Sequence, residues 1–525
     1  MAISAVPGSL APTSARPVNK WAVAVAVAVG ALLEVIDMSI VNVALADIQA
    51  SLGATLTEVS WVVSAYSVAN VIILPLSAWL GHRFGKKRYF VFSLVGFTVA
   101  SMMCGMATSF TMLVVARVLQ GLAGGGLLAK AQSILFETFP REEQAMAQGF
   151  FGIIVVSGPA IGPTLGGYLV TNVDWRWIFF INLPVGIAAV ILSLAALPAD
   201  PPTPSRRSVD WFAILLLAVG IGSLQTLLEE GNSEDWFESR FIIALAVTTF
   251  LGLGGLVWRL LESDDPVVDL RVLRYRSLWA GSVLSVIVGI ALFGALFSIP
   301  LFAQTVLGFT SQQTGMLLLP GALTSAFAMP LAGRVLKIVE ARIALVGGSL
   351  LLVVALLSLS RLTPQTGEGD LFWPLIIRAF GTVLMFLPLS LAALGSIPKE
   401  DIAKATGFFS LTRQLGGSIG VALLSTLLTR REAFHRSVLI EKVAVNNPLA
   451  FERLAALRGA FLAKGSTVDD AQAKATALLD HSVGMQALVM SFADTFVATG
   501  VLILIFLPLV VLLGKGNGAA PAADH

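Results

Sequence analysis

The sequence predicts an all-α integral membrane protein: fourteen spanning helices in two six-helix halves, with two further helices inserted between the halves. Three observations carry this reading. The 525 residues are 56% hydrophobic and 13% charged, with mean hydropathy +0.85, where soluble domains carry about 25% charge. Apolar windows of roughly 20 residues, each long enough to cross about 30 Å of hydrocarbon, recur along the chain. A pattern also repeats: Gly149, Gly158 and Gly162 return as Gly407, Gly416 and Gly420, Arg117 as Arg378, and Pro75 as Pro330. Two parallel halves of this kind point to an alternating-access transporter.

The spans fall at 21–45, 58–80, 89–107, 111–136, 144–170, 177–197, 210–229, 239–261, 277–306, 312–333, 340–361, 371–395, 402–431 and 487–513. Segment 21–197 is the first half, 210–261 the inserted pair and 277–513 the second half with an outer loop at 432–486. Lys and Arg gather in alternate connections: His82–Arg88, Arg206-Arg207, Arg271–Arg276, Arg334–Arg342 and Lys399–Lys404. The connections between them are neutral or acidic, as in Glu229–Glu238, so the tails 1–20 and 514–525 are expected in the cytoplasm. The start, with Arg16 and Lys20, resembles a signal peptide, but its apolar run is too long and holds two acids; a retained first helix is expected. A single cysteine, Cys104, excludes an internal disulfide, and four scattered histidines give no metal spacing. There is no Ser/His/Asp group, no HExxH and no P-loop, because Gly124-Gly125-Gly126 lies inside a span and is not followed by GKS or GKT. No enzyme and no cofactor are expected; an ion gradient is the expected energy source.

Taken in order, span 1 carries Glu34 and Asp37 three positions apart and hence on one face. Carboxylates in lipid cost several kcal/mol and mark a cavity or a partner. Helix rise places Asp37 roughly 12 Å, and Arg117 of span 4 roughly 9 Å, from the outer ends of their spans, so the two can meet at one depth. Such a group can be set to exchange a proton near neutral pH, and Asp37, Glu34 and Arg117 are the candidate proton-coupling residues. The loop His82, Arg83, Gly85, Lys86, Lys87 is a short basic connection and a candidate gate. Lys130 lies close to a span end and is expected to snorkel. Span 5 holds Gly149, Gly158, Pro159, Gly162, Pro163, Gly166 and Gly167. Glycines at i+4 let helices touch backbone to backbone, and a proline in lipid needs neighbours that cover the freed carbonyl. Candidate substrate contacts are Asn42, Gln304, Arg413 and Asp494. Arg413 lies mid-span, where it can hold an anionic group or pair with Asp494. In the outer loop, Phe451–Lys464 is amphipathic and stops at Gly465, and Thr467 with Asp470 opens a second helix through Leu479. An apolar face of Leu454, Leu457 and Phe461 on so small a hairpin calls for a second surface.

The segments Asp37–Leu45 (DMSIVNVAL), Trp79–Lys87 (WLGHRFGKK), Arg117–Gly121 (RVLQG), the glycine–proline helix and Asp174–Gly186 (DWRWIFFINLPVG) resemble the fourteen-span drug:proton antiporters of the major facilitator superfamily. Gly220–Phe237 and Pro266–Leu273 are most similar to the EmrB type. The resemblance implies a major facilitator fold in the bacterial inner membrane. It implies export of hydrophobic or amphipathic drugs and toxins against inward proton flow, with a periplasmic membrane-fusion adaptor and an outer-membrane channel as partners. By it, Asp37 is the span 1 acid, Arg117 the proton-transfer arginine and span 5 the antiporter helix. Two departures stand out: His82 precedes Arg83 where the family's loop has an acid, and Ala46 replaces the span 1 proline. An importer, or a carrier of one specific metabolite, on the same fold is the competing reading.

Overall fold

A computed structural model describes residues 19–200, 209–263, 266–443 and 447–513; the expected tail segments 1–18 and 514–525 and the pair Arg206-Arg207 lie outside the described residues. Among the described residues the regular structure is helical, without strands. The first helix, α1 (Lys20–Ile40), is capped by the Asn19 side chain, which accepts from the Trp21 and Ala22 N–H groups. Then come α2 (Trp61–Phe84), α3 (Lys86–Gly105), α4 (Phe110–Thr138), α5 (Arg141–Asn172), α6 (Asn182–Ala196), α7 (Trp211–Glu230) and α8 (Arg240–Glu262). The long helices that follow are α9 (Arg276–Thr305), α10 (Ser311–Val335), α11 (Ala341–Leu359), α12 (Glu368–Leu394), α13 (Ile402–Lys442) and α14 (Val468–Phe506). Twelve of the described helical segments are long and apolar enough to cross a membrane, and α5 and α13 fill the two other expected spans. Large exposed apolar side chains such as Phe92, Phe250 and Phe327 give the bundle the surface that lipid solvates.

Glycines set the closest contacts. A side chain at Gly158, Gly162 or Gly166 of α5 would overlap Val35, Ser39 or Ile40 of α1, so α5 lies directly against the helix that bears the two acids. The repeat is reproduced in three dimensions: Gly416 and Gly420 of α13 lie against Val286 and Ile290 of α9. Each glycine helix then reaches across to the other half at matching points. Gly149 of α5 faces the Met329 carbonyl of α10, and Gly407 of α13 faces the Leu74 carbonyl of α2, each residue just before the proline that the repeat pairs. The helices α5 and α10 touch along their length, from Thr164 against Gly315 to Ala145 against Gly333. The inserted helices pack as a pair through Gly220 and Gly252, and α7 lies against α2 and α13, where Val71, Leu217, Ile221, Leu256 and Leu411 share one apolar core.

The outer segment differs from the expected hairpin. The helix α13 does not end near 431 but runs 41 residues to Lys442, and the helix opened by Thr467 does not stop at Leu479 but continues as α14. The two extensions are joined by ion pairs, and one further helix, Pro448–Ala463, packs against α14. A run of helix formers without a breaker has no reason to stop at the membrane surface, which is why apolarity located the spans but not the helix ends. In that added helix Leu454, Leu457 and Phe461 are half-buried, whereas Leu449 and Phe451 stay exposed.

Candidate functional site

The site begins with α1, which the glycines of α5 allow to sit deep in the first half. Asp37 is fully buried and its Oδ2 lies 2.6 Å from Nη1 of buried Arg117 on α4. Its Oδ1 accepts from Gln120 Nε2 at 2.8 Å and from Asn182 Nδ2 at 3.1 Å. Arg117 in turn donates through Nε to the Val62 carbonyl (2.8 Å) and through Nη1 to Gln120 Oε1 (2.7 Å), while the Tyr66 ring stacks 4.2 Å from its guanidinium carbon. Each member has a partner, the condition under which a charge pair persists away from water.

Glu34 belongs to a separate network, a correction to the expectation of one shared carboxylate group. Its Oε1 accepts from Asn70 Nδ2 (2.8 Å) and its Oε2 from the Leu128 backbone N–H (2.7 Å). That N–H is free because α4 breaks at Gly125-Gly126, where Gly126 takes φ +80°, a left-handed conformation that favours glycine. The cations acting on Glu34 are Lys130 and, from the other half, Arg413. Tyr66 and Asn70, 3.5 Å apart, stand between the two acid networks.

Lys130 does not snorkel. It is buried, donates to Ser93 Oγ at 2.8 Å and sits 3.5 Å from the centre of the Tyr89 ring. Arg413 is buried beside the rings of Phe386 and Phe409 (5.2 and 5.8 Å), and its Nη1 has no hydrogen-bond partner among the described residues. Arg378, the repeat counterpart of Arg117, is also buried with an unpartnered Nε, and α9, the counterpart of α1, has no carboxylate. The repeat therefore duplicates the arginine without its acid. Arg413 and Asp494 are not brought together: Asp494 pairs with Arg431 and with His435 Nε2 (2.8 Å) on the extension of α13. Asn42 is exposed and donates to the Met38 carbonyl at 3.4 Å, and Gln304 is exposed near the end of α9; neither joins the buried networks.

At the basic end of the bundle, the loop motif lacks its acid in sequence but has carboxylates in space. Asp200, beyond α6, accepts from the N–H groups of Lys87 (2.8 Å) and Arg88 (3.0 Å) and so caps α3. It lies where Gly85, at φ +92°, leaves no Cβ. Lys86 pairs with Glu137 at 2.7 Å, and Lys399 of the second half donates to the Glu137 carbonyl at 2.9 Å. Arg83 lies over the Trp79 ring at 5.4 Å. Gln120, Asn182, Tyr66, Asn70 and Asp200 were not singled out from sequence. Gln120 had a signal, since it lies three positions from Arg117 on the same helix face, and Asn182 lies within the quoted segment Asp174–Gly186; Asp200 had none.

Comparison with known proteins agrees with this fold. The profile of the Major Facilitator Superfamily matches residues 27–421. The Multidrug export protein EmrB of Escherichia coli K12 is 32% identical over 504 residues, covering 95% of this chain and 97% of that protein. The Fatty acid resistance protein FarB of Neisseria gonorrhoeae is 32% identical over 91% of this chain and 93% of its own length. Among solved structures, the human organic anion transporter MFSD10 shares the fold, with a TM-score of 0.58 at 14% identity, covering 92% of this chain and 99% of that one.

Proposed function

This chain belongs to the Major Facilitator Superfamily, and within it we propose a proton-coupled exporter of hydrophobic or amphipathic toxic compounds across a bacterial inner membrane, with both termini cytoplasmic. The single observation that carries the proposal is the Asp37–Arg117 pair, wholly buried and ringed by amide groups in one half only. A proton arriving on Asp37 removes the charge that holds Arg117, which retains Gln120 and the Val62 carbonyl as acceptors. The arginine thus keeps acceptors whether or not Asp37 is charged, so a proton can come and go without stranding a buried cation. The halves 21–197 and 277–513 supply the moving bodies, and α5, sliding between α1 and α10 on its glycines, supplies the joint.

In this reading substrate binds at the seam near Arg413. A buried cation with an unused donor, flanked by Phe386 and Phe409, suits an amphipathic compound with an anionic end. The name of the gonococcal relative, with its fatty acid resistance, fits that chemistry. The exposed Leu449 and Phe451 on the helix Pro448–Ala463 suit docking of a periplasmic adaptor leading to an outer-membrane channel. The test is transport in inverted vesicles with an imposed pH gradient. Drug addition is expected to release protons in the native protein and not in Asp37→Asn. Undiminished release from that variant overturns the coupling role.

A further inference from the structure

The inserted pair carries a polar cluster that the proposed mechanism leaves unused. The sequence places Glu229 and Glu230 at the start of an acidic outer connection, but both belong to the last turn of α7 and face the bundle. Gln225, one turn earlier and completely buried, has its Nε2 2.9 Å from Ser67 Oγ of α2, 2.7 Å from Ser418 Oγ of α13 and 2.7 Å from Glu229 Oε1. One amide therefore bridges the first half, the second half and the insert at a single point. Ser64 of α2 donates to Glu230 Oε1 at 3.1 Å, and Trp236, beyond α7, donates through Nε1 to Thr426 of α13 at 2.9 Å. Asp235 and Trp236 take φ +52° and +54°, a conformation that non-glycine residues rarely adopt, so this end of the insert is pinned rather than loosely draped.

The hydrogen count does not close. An amide nitrogen has two hydrogens, and here it meets three oxygens. Gln225 Oε1 and Glu229 Oε2 are both shielded from solvent and lack a donor among the described residues. Two orphaned acceptors and one oversubscribed donor in the same cluster leave a place for one more proton. Ionised, Glu229 claims one amide hydrogen by a charge-assisted bond, leaving one for two serines. Protonated, the carboxyl becomes a donor that can serve an orphaned acceptor, and both amide hydrogens are then free for Ser67 and Ser418.

We propose that Glu229 is a proton-binding site on the inserted helices, distinct from Asp37, and that its proton fastens α2 to α13 through Gln225. Around it α2 presents Ser64 and Ser67, α13 presents Ser418, and Glu230 is the charged neighbour on α7 itself. The inserted pair is thereby a clasp between the halves. Its use in transport rests on the proton-coupled reading above, but its test needs no transported compound.

Spin labels on Ser51→Cys and Arg430→Cys, both exposed on the side of the bundle opposite the basic loops, report the separation of the halves in the purified full chain. Cys104 is buried and is replaced by Ala. Raising the pH is expected to add a longer-distance population in the native background. Glu229→Gln is expected to hold the short distance at every pH, while Glu229→Asp restores the pH response. The coupling pair is tested separately, by drug-driven proton release, so either reading can fail without the other. If Glu229→Gln follows the native pH profile, or if sodium rather than pH moves the distance, the proposal is overturned.

Discussion

Asp37 and Arg117 form a tightly constrained contact, because both are buried away from water. Removing one partner of a buried pair leaves an uncompensated charge, at a cost of about 3–5 kcal/mol. Asp37→Ala is therefore expected to lower thermal stability sharply in detergent, and the double change Asp37→Ala with Arg117→Leu to recover much of the loss; equal instability of the two variants would contradict the account. The pairing was legible in sequence because helix rise fixes depth, and two charges at one depth on neighbouring helices have little choice. Lys130 was misread for the same reason: depth alone suggested the interface, while the partners that keep it inside, Ser93 and the Tyr89 ring, lie on a different helix. A second expectation follows from those partners. Lys130→Met should fold and insert but shift the pH dependence of transport, since it removes a cation that acts on Glu34; an unchanged profile assigns Lys130 to packing alone.

Helix α5 shows how a stretch of glycine and proline can be the firmest seat in a bundle. At Gly162 a side chain would strike Ser39 and the Ile40 backbone, so Gly162→Leu must displace the helix that holds both acids. Loss of drug efflux with normal membrane insertion is expected, whereas Gly254→Ala on α8, which meets nothing within 4 Å, should be silent. Efflux assays in cells expressing each variant decide it. The periodic glycines make this helix readable from sequence. In the segment at 432–486 the helix stopping at Gly465 and the start at Thr467 were readable too, but not how far α13 and α14 run, because a loop and a continuing helix share the same composition once the lipid ends. The helix Pro448–Ala463 packs mainly on α14, so replacing it with a flexible linker should spare transport in vesicles and abolish resistance in whole cells. Full resistance without it would remove the case for an adaptor.

Between the halves, the repeat in the glycines becomes a pair of matched crossings, α5 on α10 and α13 on α2. Gly149→Leu and Gly407→Leu should each slow transport by a similar factor, measured as initial efflux rate, because each pries at an equivalent seam. A large effect at one and none at the other would mean that the crossings are not equivalent. The repeat was legible, since spacing survives where identity is lost. The missing acid opposite Arg378 was open to the same reading, but the contacts of the inserted pair were not, because they have no counterpart to compare with. The length of α13 has one more consequence. At 41 residues it is about 60 Å long, twice the hydrocarbon thickness, and it leaves the bundle without a joint. Tied to α14 through Arg431, His435 and Arg436, it behaves as a stiff mast fixed to the second half. A rotation of about 15°, the size seen when subunits switch, swings a point about 30 Å from the pivot through about 8 Å. Whatever grips the top of that mast feels every turnover as a mechanical stroke.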